Sequence, residues 1–221
     1  MISIIIPTLN ESKIILDTVS NLQNLREKKV CEIIVVDGKS TDNTCSLIRD
    51  LVDKLIIVNP NRSYQLNAGA NVSKGEVLLF LHADTFISEE NVMRLKDNKN
   101  KFNWGFFSLE LSQNTFKYKI LETCINLRSY IFNYATGDQG IFIKKEVFEQ
   151  IKGFPNLELM EDLAICKSLK KISNPLIIKS NIMTSTRKWE KDGFYLTVFK
   201  MRLFRILYAL GLSTRILRRY Y

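Results

Sequence analysis

The residues best placed to do chemistry sit where apolar runs stop. "LLFLHADT" (78–85) passes from four apolar residues straight to His82, Ala83, Asp84 and Thr85, and His82 is the one histidine of the chain. A carboxylate ending a strand can hold Mg²⁺ or Mn²⁺ that also clamps a diphosphate, or it can cap a helix starting near Ser88. A lone buried histidine is more often a satisfied core side chain than a ligand, and that is the leading reading of His82. Glu161 and Asp162 open "EDLAICKSLKK" (161–171). A carboxylate there suits a general base that takes a proton from a hydroxyl; the same pair also suits the positive end of a helix dipole. Asp37 ends "EIIVVD", where an acid can accept from a ribose hydroxyl or a base N–H, or merely cap the turn that follows.

Two further stretches add polar groups. In "PTLNE" (7–11) the backbone amides and Asn10 can hold a ribose or base, or form only a capped turn. "RSYQLNAGA" (62–70) mixes Arg62, Gln65 and Asn67 with Ala68, Gly69 and Ala70. Its small residues let a helix approach a ligand or a sheet, and its plain alternative is a tightly packed helix with a solvated arginine. No G-x-G-x-x-G follows a strand, which argues against a dinucleotide dehydrogenase, and no G-x-x-x-x-G-K-[ST] marks a phosphate loop.

The elements that must position these groups follow from periodicity. Ile2–Ile6, Glu32–Val36, Leu55–Val58 and Val77–Leu81 read as buried strands without a polar face. Between them Ile15, Val19, Leu22 and Leu25 recur at helical spacing, with Asn10 and Ser12 as candidate caps. Ile48, Leu51 and Val52 mark a second helix capped by Thr41 or Asp42, and Gln65–Val72 a third. This alternation predicts a mostly parallel sheet flanked by helices, with ligands beyond the carboxyl ends of its strands. In the second half, Trp104–Leu111 reads as a strand and Phe116, Ile120, Cys124, Leu127 and Ile131 as a helical stripe. "TGDQGIFI" (136–143) holds two glycines and a short strand, and Lys144–Ile151 reads as a short helix. Leu176–Ile178 and Ile182–Thr184 read as edge strands. The last segment carries Leu196, Phe199, Leu203, Ile206 and Leu210 along one helix face.

Composition bounds the rest. The chain has 221 residues, 46% hydrophobic and 25% charged, enough for one sizeable core. The four cysteines form no C-x-x-C pair, so they read as small buried hydrophobes in a reducing compartment rather than as a metal site. No secretory leader is legible before Pro7, and no stretch approaches the roughly 18 apolar residues of a membrane span. Residues 187–221 hold nine Lys or Arg against Glu190 and Asp192, so most of the +9 formal charge belongs to the tail. Nucleic acid is therefore not expected as a partner. Lys200, Arg202, Arg205, Arg215, Arg218 and Arg219 suit contact with an anionic membrane surface, although packing of the apolar stripe on the domain is the preferred expectation. The division expected is 1–185 for the sheet domain and 186–221 for a basic amphipathic segment.

The order I-I-P-T-L-N-E, V-V-D-G-x-S-T-D-x-T, an acid ending the fourth strand, then E-D resembles the family 2 glycosyltransferases of GT-A fold over roughly residues 1–171. "RSYQLNAGA", "LFLHADT", "GDQGIFI" and "TSTRKWEKDGF" resemble a smaller bacterial subgroup, some of whose members are linked to arsenosugar biosynthesis. The resemblance implies a nucleotide-diphosphate sugar donor and a hydroxyl acceptor; the scattered thiols and the lack of a legible leader point to a cytoplasmic enzyme. Pro7, Thr8, Asn10, Glu11 and Asp37 would cradle the nucleotide. Arg62, Gln65 and Asn67 would lie near the base or phosphates, with His82 and Ala83 alongside. Asp84 would hold a divalent cation, Mg²⁺ or Mn²⁺, on the diphosphate. Asp162, with Glu161 beside it, would be the base. Asp138, Gln139, Arg187 and Trp189 would line the sugar or acceptor region. The family's common D-x-D has His82 in place of its first acid, which puts metal dependence in question.

Direct displacement at the anomeric carbon, with inversion, suits such a residue set. A second expectation, from a different class, is a nucleotide-sugar-binding or membrane-adaptor protein without turnover. A nucleotidyltransferase of related fold ranks last, because "PTLNESK" lacks the glycine-rich basic phosphate loop such enzymes usually open with.

Overall fold

The computed structural model describes residues 1–220. Eight strands form one sheet: β1 (Ile2–Thr8), β2 (Cys31–Asp37), β3 (Lys54–Ile57), β4 (Val77–Phe80), β5 (Thr85–Phe86), β6 (Trp104–Leu111), β7 (Ile141–Lys144) and β8 (Leu176–Thr184), in the order β3-β2-β1-β4-β7-β6-β8-β5. The first half is the expected parallel set, with β2 and β4 flanking β1 and β3 outside β2. In the second half β6 and β8 also pair in parallel, while β7 runs antiparallel to both β4 and β6, and β5 antiparallel to β8. Leu176–Thr184 is one strand, not two edge strands. It lies inside the sheet between β6 and β5 and is interrupted where its register slips opposite Phe107 and Ser108.

Burial on both faces explains the unrelieved apolar runs. Ile4 and Ile6 enter the core layer shared with Ile15, Val19 and Leu22, whereas Ile5 enters the opposite layer with Leu66 and Ala70. The first helical region is two short helices, α1 (Ile15–Ser20) and α2 (Gln23–Glu27), with no side-chain cap. Asn10 and Ser12 do not cap it. Next come α3 (Thr44–Ile48) and α4 (Arg62–Val72); Asn61 caps the latter by accepting from the Tyr64 N–H at 2.9 Å. The small residues of α4 serve the sheet: a Cβ on Gly69 would lie 2.5 Å from Ile5 Cγ2. Ser88 does cap α5 (Glu89–Asp97), so Asp84 is free of that duty.

The later helices are α6 (Phe116–Phe132), α7 (Lys145–Gln150), α8 (Glu161–Leu169), α9 (Arg187–Asp192), α10 (Phe194–Ala209) and α11 (Thr214–Arg218). The stripes on α6 and α10 do not turn inward. Phe116 is 82% exposed, Ile131 62%, Phe199 63% and Leu210 78%. The opposite faces hold the helices: Tyr118, Leu121 and Ile125 of α6 and Phe194, Val198 and Met201 of α10 pack around Trp189, Leu109 and Leu111. The preference for a stripe packed on the domain is thus corrected. Two of the four thiols, Cys31 and Cys166, are buried as expected, and burial pushes both up to about 12, but Cys45 is half-buried and Cys124 exposed.

Candidate active site

Topology gathers the chemistry at one rim. Strands β1, β2 and β4 all end there, at Thr8, Asp37 and Phe80. Because β7 is antiparallel to β4, Phe80 pairs with Ile141, and the turn before β7 arrives at the same rim. Strand β8 ends beside β5, bringing Ser185 and Arg187 within reach; the Ser185 N–H donates to the Asp84 carbonyl at 3.2 Å.

A cleft of about 320 Å³ opens there. It brings together Pro7, Glu11, Arg62, His82, Ala83 and Asp84 with Asp138, Glu161, Asp162, Arg187 and Trp189 from the second half of the chain. Asp84 and Asp162, far apart in sequence, face one space. Arg187 ties two walls: its Nη2 donates to Glu11, and its Nε lies 3.6 Å from Asp84 Oδ2. Burial raises the Glu11 and Asp84 carboxyls above their ordinary values, and Arg187 pulls both the other way. His82 is held neutral, its pKa pushed well down by burial and then by the Arg62 charge. Its ring lies against the backbone of the short 3₁₀ turn Gly137–Gln139, where a Cβ on Gly137 would strike His82 Nε2. His82, half-buried, thus packs against that turn and also lines the cleft.

Asp162 is fixed at the start of α8. Its Oδ2 accepts from the Gly137 N–H at 3.0 Å and its Oδ1 from the Leu163 N–H at 2.8 Å. Glu161 is buried, 3.7 Å from Arg62 Nη1. Burial first, and then the Asp162 charge, raise its carboxyl above the ordinary value. Glu161 is thus driven toward its protonated form.

Six expected site residues do not line the cleft. Asp37 is buried, accepting from Thr8 Oγ1 at 3.0 Å and from the Ser40 N–H at 2.7 Å. Asn10 adopts a left-handed conformation, φ 56°, and its Oδ1 accepts from the Thr41 N–H at 2.9 Å. Together these bonds interlock the β1 and β2 loops beside Pro7 and Glu11. Gln65 donates to the Thr8 and Val36 carbonyls at 2.9 and 2.8 Å. Asn67 clasps the backbone of Phe154, donating to its carbonyl and accepting from its N–H. Gln139 Oε1 accepts from Ser129 Oγ and the Thr136 N–H within the turn. Conversely, Gly137, Met201 and Arg205 line the cleft without having been expected there, Arg205 having been read only as a cation for a membrane surface. For Gly137 the signal was present, two glycines bracketing D-Q; the two tail residues carried none.

As a cation site, the cleft offers the Asp84 carboxylate, with a neutral imidazole two residues away and the Glu11 and Asp138 carboxylates elsewhere on its walls. Among the described residues no cluster of three ligating side chains exists. Mg²⁺ or Mn²⁺ held by one carboxylate and the phosphates of a ligand needs no such cluster, so the donor set fits that mode of binding. Asp138 Oδ1 is a buried oxygen without a hydrogen-bond partner on the same wall.

This α/β fold, a curled sheet flanked by helices, is that of GT-A glycosyltransferases, and residues 3–103 match the model of the family described as glycosyl transferase family 2. TarS of S. aureus, solved with UDP-GlcNAc, superposes with a TM-score of 0.67 at 17% identity, over 84% of this chain and 58% of that one. The mannosyltransferase PcManGT of Pyrobaculum calidifontis, solved with GDP-Man and Mn²⁺, gives 0.65 at 19% identity, over 98% and 68%. A curated relative from Methanococcus voltae, a dolichyl N-acetyl-α-D-glucosaminyl phosphate 3-β-D-2,3-diacetamido-2,3-dideoxy-β-D-glucuronosyltransferase, is 35% identical over 98 residues. That match covers 40% of this chain and 30% of the relative, so the chain spans under a third of that relative's length.

Proposed function

We propose that the protein is an inverting glycosyltransferase that moves a sugar from a nucleotide-diphosphate donor to a hydroxyl acceptor. The observation that carries this reading is the shared cleft: Asp84 at the end of the β4 run and Asp162 at the start of α8 line one cavity of about 320 Å³. The likeness to family 2 and to neighbours solved with nucleotide sugars supports it.

On this reading the interlocked loops of Thr8, Asn10 and Asp37 shape the seat of the nucleoside, beside Pro7 and Glu11. Gln65 and Asn67 act at one remove, Gln65 by fixing the β1 and β2 ends and Asn67 by holding the 154 backbone. Arg62 faces the phosphates, with His82 and Ala83 on the floor. Asp84 would hold a divalent cation on the diphosphate, which when bound offsets the charge developing on the leaving group. Asp162 takes the proton from the acceptor hydroxyl as it attacks. Its two backbone hydrogen bonds fix where that carboxylate stands. Asp138 and Trp189 flank the acceptor, with Gln139 fixing the turn that carries Asp138. Arg187 satisfies Glu11 and Asp84 until donor and cation arrive. No covalent intermediate enters: one displacement inverts the anomeric configuration.

A thermal-shift screen against nucleotide sugars, with and without Mn²⁺, followed by transfer and hydrolysis assays of whichever binds, tests the reading. Stabilisation by a donor together with turnover is expected. Tight donor binding with no transfer or hydrolysis would favour the non-catalytic adaptor.

A further inference from the structure

A second cavity joins the cleft. A groove of about 360 Å³ runs between α6 and α10, walled by Leu121, Ile125, Val198 and Ile206. Trp189, Met201 and Arg205 belong to both the groove and the cleft, so the two are continuous. The groove is apolar along its length and cationic at its edges. Arg128, Arg202 and Arg205 line it, and none of them forms an ion pair among the described residues. Arg128 leans on the Tyr134 ring at 5.0 Å, and its Nε, buried, has no hydrogen-bond partner. Trp189, 6% exposed, likewise keeps an unpartnered Nε1 at the junction. Buried donors left open beside an apolar slot call for an anion attached to an apolar body.

The surroundings say where such a molecule comes from. On either side of the groove the outward faces of α6 and α10 present large apolar side chains to solvent. At 100° per residue, Lys200 and Arg202 border the α10 stripe on its two flanks. Apolar faces edged by cations match an anionic bilayer surface. A second copy of this chain would bring like charges together at the same rim.

Resting on the transferase reading above, we propose that the acceptor is a membrane-resident lipid with a phosphate-bearing head. Its apolar chain lies in the groove between α6 and α10, its phosphate meets Arg128 and Arg205, and its hydroxyl reaches Asp162 past Trp189 and Met201. The exposed faces of α6 and α10 rest on the bilayer that supplies it.

Two probes test this on the full chain. Decyl phosphate below its micellar concentration is expected to shift the emission of Trp189, the other tryptophan being Trp104, fully buried in the core. It should do so about tenfold more tightly than methyl phosphate or decanol. Vesicles of phosphatidylcholine with phosphatidylglycerol are expected to sediment the protein, and vesicles of phosphatidylcholine alone about tenfold less well. Cys124 and Ile206 are exposed groove residues, so the double variant Cys124→Glu/Ile206→Glu keeps its fold and its nucleotide-induced rise in Tm while losing about tenfold in both assays. The proposal is overturned if decyl phosphate binds no better than methyl phosphate, if wild type sediments with neither vesicle, or if the double variant matches wild type. Lipid binding without any nucleotide binding would leave the groove standing as a lipid site and sink the transferase reading.

Discussion

At the scale of single residues, the cleft separates three acids by environment. Asp84 and Glu161 are pushed toward neutrality by burial, while Asp162 is pinned by two backbone N–H groups. An acid whose folded pKa lies above its unfolded one binds more protons in the folded state. Stability therefore falls as pH rises from the ordinary carboxylate range through the raised value, and the cost persists above it. Asp84→Asn removes that cost, so it should melt no lower than wild type at neutral pH while transfer is lost. Scanning calorimetry beside a transfer assay reads both, and a large drop in Tm would contradict the sign. On the proposed reading transfer needs Asp84 ionised, so its acid limb should lie above the ordinary aspartate value of 3.8; a pH profile of kcat/KM checks this. Asp162→Asn should cost about 10²–10⁴-fold in kcat with donor affinity kept.

At the scale of elements, the strand runs and their polar ends were legible because burial on both faces erases alternation, so each β-run stands out until it meets Thr8, Asp37 or His82. What was not legible was direction. Whether β7 runs with or against β4 is set by contacts distant in sequence, and "TGDQGIFI" alone carries no sign of it. That direction is what delivers Gly137 to His82 and Asp162. Nor could helical periodicity tell which face of α6 or α10 turns inward, since both faces of each are apolar. Close approach at this scale is testable. Gly69→Ala places a methyl against Ile5 and should cost about 1–3 kcal/mol, lowering Tm by several degrees without changing the cleft.

At the scale of the whole molecule, the first and second halves of the chain meet along one rim, and Arg187 joins them through Glu11 and Asp84. The bond network therefore predicts that Arg187→Ala loosens α9 and α10 relative to the sheet: protection of their amides against hydrogen exchange should fall while that of β1, β2 and β4 holds. Equal loss throughout would show that the pair serves global stability instead. No helix among the described residues is long and apolar enough to cross a membrane. Packing crosses the expected division at 185 and 186, since Trp189 shares a core cluster with Leu109 and Leu111.

Titration of nucleoside diphosphates with Mn²⁺ into wild type, Asp84→Asn and Asp162→Asn tests the central claim most directly, because it asks which acid faces the donor. The account predicts that the nucleoside diphosphate bound by wild type loses at least about tenfold in affinity, together with its Mn²⁺ dependence, in Asp84→Asn, and binds Asp162→Asn as it binds wild type. Equal binding to wild type and Asp84→Asn, or equal weakening in both variants, would contradict a cleft with one acid on the donor and the other across from it.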